Sequence, residues 1–133
     1  MAFSRIELRN FRCFEALTID ISSNSNLFYG KNGCGKTSIL ESIYVASCGR
    51  SFRTSNLEAL IKNGSNSFKI KAYDDNSGSI LEVNKTKSKA INIKINNSLV
   101  TISELARTFP SFSIDSKTFF YNDNAPDYRR KHL

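Results

Sequence analysis

Gly30-Lys31-Asn32-Gly33-Cys34-Gly35-Lys36-Thr37 fits the phosphate-binding pattern G-x-x-x-x-G-K-[ST]. Each residue type there has a physical task. Glycines at 30, 33 and 35 permit φ > 0 and let backbone N–H groups approach phosphate oxygens. Lys36 is placed to reach β- and γ-phosphates, and Thr37 to offer its hydroxyl to Mg²⁺. Cys34 is small enough to fit inside the loop. The flanks agree with the motif. The apolar run at 26–29, Asn-Leu-Phe-Tyr, reads as a buried strand entering the loop. Residues 36–47 read as a helix with Ile39, Leu40, Ile43 and Ala46 on one stripe and Tyr44 beside it, ended by Cys48-Gly49. Strand, glycine turn and helix N-terminus together make an anion cradle for a nucleoside triphosphate.

Outward from the cradle the pattern is mostly of strands. Residues 4–12 alternate, with Ile6, Leu8 and Asn10 on one face and Arg5, Glu7, Arg9 and Phe11 on the other, blurring at Asn10-Phe11. Leu17, Ile19 and Ile21 alternate in a second strand, followed by a Ser/Asn turn at 22–25. Beyond the helix, 50–55 form a polar loop carrying Arg50 and Arg53. Leu57, Leu60 and Ile61 then predict a short helix that stops at Asn63-Gly64. From Phe68 onward an antiparallel meander is expected. Phe68, Ile70 and Ala72 alternate with lysines, 74–78 turn, and 80–83 are apolar. A basic loop with Lys85, Lys87 and Lys89 follows, then Ile91, Ile93 and Ile95, and Asn96-Asn97 turns the chain. Ser103 is expected to cap a helix at 104–108, and 112–114 to form a strand. The fold class is α/β, a P-loop architecture that combines a mixed sheet with an antiparallel meander.

The 133 residues suffice for one domain with a core, and with no Trp the 10 Phe and 5 Tyr must carry much of the packing. Net charge is +7, which favours polyanionic partners such as nucleic acid or an anionic membrane surface. Cys13, Cys34 and Cys48 are an odd, widely spaced set, and His132 is the single histidine, so neither a disulfide framework nor a zinc site is expected. No apolar run reaches membrane-spanning length and none follows the N-terminal arginines as a signal peptide would require. A reducing cytoplasm is the default.

Binding is not hydrolysis. A hydrolytic site also needs an acidic residue after a buried strand to complete the Mg²⁺ shell. The stretches ending at Asp20, Asp74-Asp75 and Asp115 are short or half-exposed in pattern, and none fits. The cradle is present without its catalytic half, and no ATP hydrolysis above background is expected from it alone.

At this point the residues carry a resemblance. Leu8-Arg9-Asn10-Phe11-Arg12, then 28–38 with the loop itself, then Leu40-Glu41-Ser42-Ile43-Tyr44, resemble in order the N-terminal part of the RecF family of bacterial DNA replication and repair ATPases, relatives of the SMC group. Gly49-Arg50-Ser51-Phe52-Arg53 is the most discriminating piece, and Ala125-Pro126-Asp127-Tyr128-Arg129-Arg130 is similar to a late segment. Residues 65–108 match in strand pattern alone. The resemblance implies lobe I of an ABC-type ATPase head over 1–133. It implies binding of ATP with Mg²⁺ at Gly30 to Thr37, a homodimer closed around two nucleotides, and DNA binding at single-stranded or gapped sites. It also implies recombination mediator partners of the RecO/RecR type, recombinase loading and SOS induction. Where the family has Gln to sense Mg²⁺ and the γ-phosphate, this chain has Phe112. The family's lobe II, signature motif, Walker B and switch His lie beyond residue 133, so a truncated form is expected.

In SMC-like heads an arginine placed like Arg50 or Arg53 links DNA to the ATP site, and either here is a candidate for phosphate-backbone contact. A solvated loop, or a charge partner for the helix C-terminus, stands evenly beside that reading. Lys85, Lys87 and Lys89 read as a solvated hairpin tip, Arg129-Arg130 as a surface for lobe II, and Phe119, Phe120 and Tyr121 as core. Two other functions stand beside this one: a small P-loop nucleotide kinase, which needs an arginine-bearing lid, and a non-functional fragment.

Overall fold

The computed structural model describes residues 2–33 and 35–114. One six-stranded sheet organises them, in the order β2-β1-β3-β4-β5-β6 with every neighbouring pair antiparallel. The strands are β1 (Arg5–Phe11), β2 (Phe14–Asp20), β3 (Ser67–Asp74), β4 (Ser79–Thr86), β5 (Asn92–Ile95) and β6 (Ser98–Leu99). Helix α1 (Lys36–Cys48) and helix α2 (Ile102–Thr108) accompany them, with a 3-10 turn at Leu57–Leu60.

Period-2 alternation puts one face of this sheet in the core. Ile6 and Leu8 of β1 lie opposite Ala72 and Ile70 of β3, and Ile70 lies opposite Val83 of β4; all are buried. Val45 and Ala46 of α1 join the same cluster, with Leu60, Ile61, Leu105 and Phe109. Phe11 and Phe68 meet edge to face at 5.2 Å and 87°, a favoured aromatic geometry. On the outer face Lys71 pairs with Glu82 at 3.2 Å. Asn96 and Asn97 take φ of 49° and 67°, the paired left-handed conformation of a two-residue hairpin. That turn sets the Ile95–Ser98 register.

Six details differ from the sequence reading. Residues 26–29 form no strand, and Leu27 and Tyr29 are 83% and 86% exposed. An apolar run supplies no partner for its own backbone N–H and C=O groups, and no described strand lies beside this one. Residues 112–114 are likewise not a strand, with Phe112 and Ile114 exposed. Phe11 is buried rather than outward, because Asn10 (φ 50°) breaks the alternation and Phe11 bridges to Ile61.

Lys85 belongs to β4 and is buried, not a loop-tip lysine. Its ammonium donates to the Thr86 and Lys89 carbonyls. Thr101, not Ser103, caps α2. Its hydroxyl accepts from the Glu104 N–H, and the Glu104 carboxylate accepts from the Thr101 N–H at 2.7 Å, a complete capping box.

The largest difference is in α1. The buried face is Ser38, Glu41, Ser42, Val45, Ala46 and Ser47, whereas Leu40 is half exposed. Two of these serines satisfy their buried hydroxyls on a carbonyl about one turn back: Ser42 donates to Ile39 and Ser47 to Ile43. Glu41 is buried for the reason given next. Of the expected apolar stripe, Ala46 reaches the core and Ile43 packs against it, whereas Leu40, with Ile43 and Tyr44, borders a groove of about 400 Å³ that Phe52, Phe112 and Ile114 also line.

Candidate functional site

The loop before α1 forms a cavity of about 550 Å³ whose wall includes Asn32, Gly33, Gly35, Lys36, Thr37 and Ser38, within the size range of small-molecule sites. Gly35 is the N-cap of α1 at φ 90°, and no side chain caps the helix there. The first-turn N–H groups are therefore left for an outside acceptor, and the helix dipole adds partial positive charge. No acidic residue occupies the first turn to compete for it. The Lys36 ammonium folds back to donate to the Gly30 carbonyl, which holds it over the loop.

Two arginines complete the wall. Arg12, just past β1, and Arg53, in the loop after α1, both line the cavity. Their guanidiniums converge on Glu41. Arg12 donates from Nε to Oε2 at 2.9 Å and from Nη2 to Oε1 at 3.0 Å, a bidentate pair. Arg53 donates from Nη1 to Oε2 at 3.3 Å, and the Ser51 hydroxyl donates to Oε1. The Glu41 side chain is 0% exposed, against 23% for Arg12 and 40% for Arg53. Three cationic side chains, Lys36, Arg12 and Arg53, thus line the cavity.

Of the residues expected at the site, Asn32, Gly33, Gly35, Lys36 and Thr37 come together around the cavity. Gly30 contributes its carbonyl to Lys36, Lys31 is exposed and not on the wall, and Cys34 lies outside the described residues. Asp115, Phe119, Phe120, Tyr121, Arg129 and Arg130 also lie outside them. Arg50 is exposed, whereas Arg53 turns to Glu41 and the cavity. Phe112 borders the apolar groove together with Thr37. Cys13 lines the cavity, and Cys48 is a free thiol pushed up from its ordinary range by burial. Among the described residues no cluster of His, Cys, Asp or Glu is arranged to hold a metal by itself. Sequence alone does not mark Arg12 and Glu41 as site residues; their signal is an acid on an otherwise small-residue helix face, which periodicity does not pair with an arginine 29 positions earlier.

The family profile of the AAA domain matches residues 5–129. The chain belongs to the AAA domain family. It is similar along its whole length to the DNA replication and repair protein RecF of Pseudoalteromonas translucida, at 39% identity, and spans 37% of that relative's length. Among solved structures, RecF with ATP, described as a recombination mediator protein of the RecFOR pathway, superposes with a TM-score of 0.87 at 26% identity. The match covers 98% of this chain and 37% of that one. A chain from a structure of SMC ATPases superposes with a TM-score of 0.77 at 18% identity over 97% of this chain, a likeness of fold. The expected likeness to the N-terminal part of RecF, and the ABC-type head fold of lobe I, therefore hold.

Proposed function

We propose that residues 30–37 bind the triphosphate of ATP and that this chain, over 1–133, is the ATP-binding lobe of a RecF-like DNA replication and repair ATPase. The observation that carries the reading is the uncapped N-terminus of α1 opening into a cavity walled by Lys36, Arg12 and Arg53. The residues fit the group: Gly33 and Gly35 hold φ of 85° and 90°, and open space surrounds the Cβ position of Gly33, so a phosphate can come close to the loop backbone there. Lys36 holds the β- and γ-phosphates in this account, and the Thr37 hydroxyl is the protein's ligand to Mg²⁺. Phe112 borders the groove that Thr37 also lines, and as an apolar ring it offers the metal no ligand.

The likeness to RecF supports the wider role. In it the lobe serves a homodimer closed on ATP, acts on single-stranded or gapped DNA in the cytoplasm, works with mediators of the RecO/RecR type, and assists recombinase loading and the SOS response to DNA damage. Arg50, exposed just past the C-terminal end of α1, is the freer of the two arginines for a DNA phosphate, since Arg53 is engaged by Glu41. A small nucleotide kinase is disfavoured by the antiparallel meander β3–β6 that follows α1.

Titration with a fluorescent ATP analogue tests the nucleotide site. Saturable Mg²⁺-dependent binding that Lys36→Ala abolishes, with the fold intact by circular dichroism, is the expected result. Equal binding by both proteins would reject the site.

A further inference from the structure

We infer that Glu41 is a positioning residue, whose buried carboxylate holds the Arg12 and Arg53 guanidiniums on the cavity wall so that both meet the phosphates of the bound nucleotide. The inference rests on the reading of 30–37 as the phosphate cradle and goes beyond it to residues outside the motif.

Each Glu41 oxygen accepts two hydrogen bonds. Oε1 takes Arg12 Nη2 and the Ser51 hydroxyl, and Oε2 takes Arg12 Nε and Arg53 Nη1. Stability alone does not account for this arrangement, because a buried ion network is commonly matched by apolar residues of the same volume. Geometry does account for it. Arg12 spends its Nε–H and one N–H of Nη2 on Glu41, which leaves Nη1 free of that carboxylate, and a guanidinium has five N–H donors in a rigid fork.

The backbone fixes Arg12 as well. Its N–H donates to the Leu60 carbonyl at 2.8 Å, and its φ is 53°, an uncommon left-handed conformation for such a residue. On the other side, the Ser51 hydroxyl accepts from the N–H groups of Arg53 and Thr54, so one side chain ties the loop after α1 to the same carboxylate. Glu41 sits on α1 itself, the helix that begins at the cradle. One rigid element thus sets the phosphate-facing amides and both arginines in a common frame, the preorganisation that lets fixed cations act on an anion without reorganising.

The test compares ATP affinity, measured with the fluorescent analogue over a range of salt concentrations, for the wild type, Glu41→Gln, Arg53→Gln and the double variant. Glutamine keeps the shape and loses the charge. Glu41→Gln is expected to weaken ATP by roughly ten- to a hundredfold, the effect of about one charge-assisted hydrogen bond. It should also flatten the dependence of affinity on salt, as fewer cations meet phosphate. A merely structural defect lowers the fraction of active protein and leaves that slope unchanged.

Arg53→Gln, at a partly exposed position, should reproduce part of the loss with little change in melting temperature. The double variant should bind no more weakly than Glu41→Gln, since both act through one network. Glu41→Gln that melts cooperatively and binds as tightly as the wild type, or more tightly, overturns the inference. If Glu41→Gln does not fold, Arg53→Gln decides, and wild-type affinity in it overturns the inference as well. Failure of the cradle itself looks different: the wild type then binds no ATP, or Lys36→Ala binds it unchanged.

Discussion

Alanine at Gly35 tests the cradle's geometry at the level of one atom. Gly35 has φ 90°, and a Cβ built there lies 2.5 Å from Phe14 Cζ and 3.1 Å from Cys13 Sγ. Gly33 has nearly the same φ, 85°, with nothing within 4 Å of its Cβ position. Two costs therefore separate. Placing an L-residue in left-handed backbone costs about 1–2 kcal/mol and applies to both sites. Overpacking against the Phe14 ring, which is half buried at the start of β2, adds about 1–3 kcal/mol at Gly35 alone. Gly33→Ala is thus expected to destabilise by about 1–2 kcal/mol and Gly35→Ala by about 2–5 kcal/mol.

Urea denaturation of the two variants measures the difference, with the slope against urea unchanged if both stay two-state. A Gly35→Ala/Phe14→Leu protein completes the cycle. Removing the ring should make the two changes less than additive by about 1–3 kcal/mol. Equal destabilisation by Gly33→Ala and Gly35→Ala, or strict additivity with Phe14→Leu, refutes the packing of Phe14 against the loop.

Three further outcomes follow from the same physics. Thr101→Ala removes half of the α2 capping box and should cost about 1 kcal/mol in a thermal or urea melt, whereas Ser103→Ala should cost a few tenths at most. The Ser77 hydroxyl, at 2.8 Å, and the Asn76 N–H, at 3.0 Å, hold the Asp74 carboxyl below its ordinary value of 3.8. A lowered folded pKa gives stability that is present above the ordinary value and lost as pH falls through the folded one, so Asp74→Asn should lower stability at neutral pH and flatten its decline below about pH 4 in an acid titration. Arg50→Glu is expected to weaken DNA binding and to reduce its salt slope by about 1, measured by anisotropy of labelled DNA at several salt concentrations; unchanged affinity and slope would remove Arg50 from the interface.

Much of this molecule is legible in the sequence because the deciding signals are local. Alternation in Ile6-Leu8, Phe68-Ile70-Ala72 and Ile93-Ile95 needs no partner to be read, and Asn96-Asn97 announces its own turn. The loop at Gly30 to Thr37 is equally local, since the function proposed for it lies in backbone and adjacent side chains. What is not legible depends on distant groups. Whether 26–29 becomes a strand turns on a neighbour to pair with, which an apolar run does not encode. The buried face of α1 turns on Arg12 and Arg53 arriving at Glu41 from either side in sequence. Without that charge balance, the apolar stripe of Ile39, Leu40, Ile43 and Ala46 is the natural choice for the core, and of these Ala46 alone shares the buried face with Glu41 and the serines. Thr101 and Ser103 are both acceptable caps by type, and the start of the helix is settled by packing of Leu105, which fixes its phase.

The most direct test of the central claim is to titrate isotopically labelled protein with MgATP and follow backbone amide and arginine side-chain resonances by NMR. A phosphate cradle at 30–37 predicts the largest shifts at the amides of Gly33, Gly35, Lys36, Thr37 and Ser38, with the Arg12 and Arg53 guanidiniums moving in step and the outer face of β3 and β4 unmoved. Shifts centred on the sheet, or none at the start of α1 at saturating nucleotide, would contradict it.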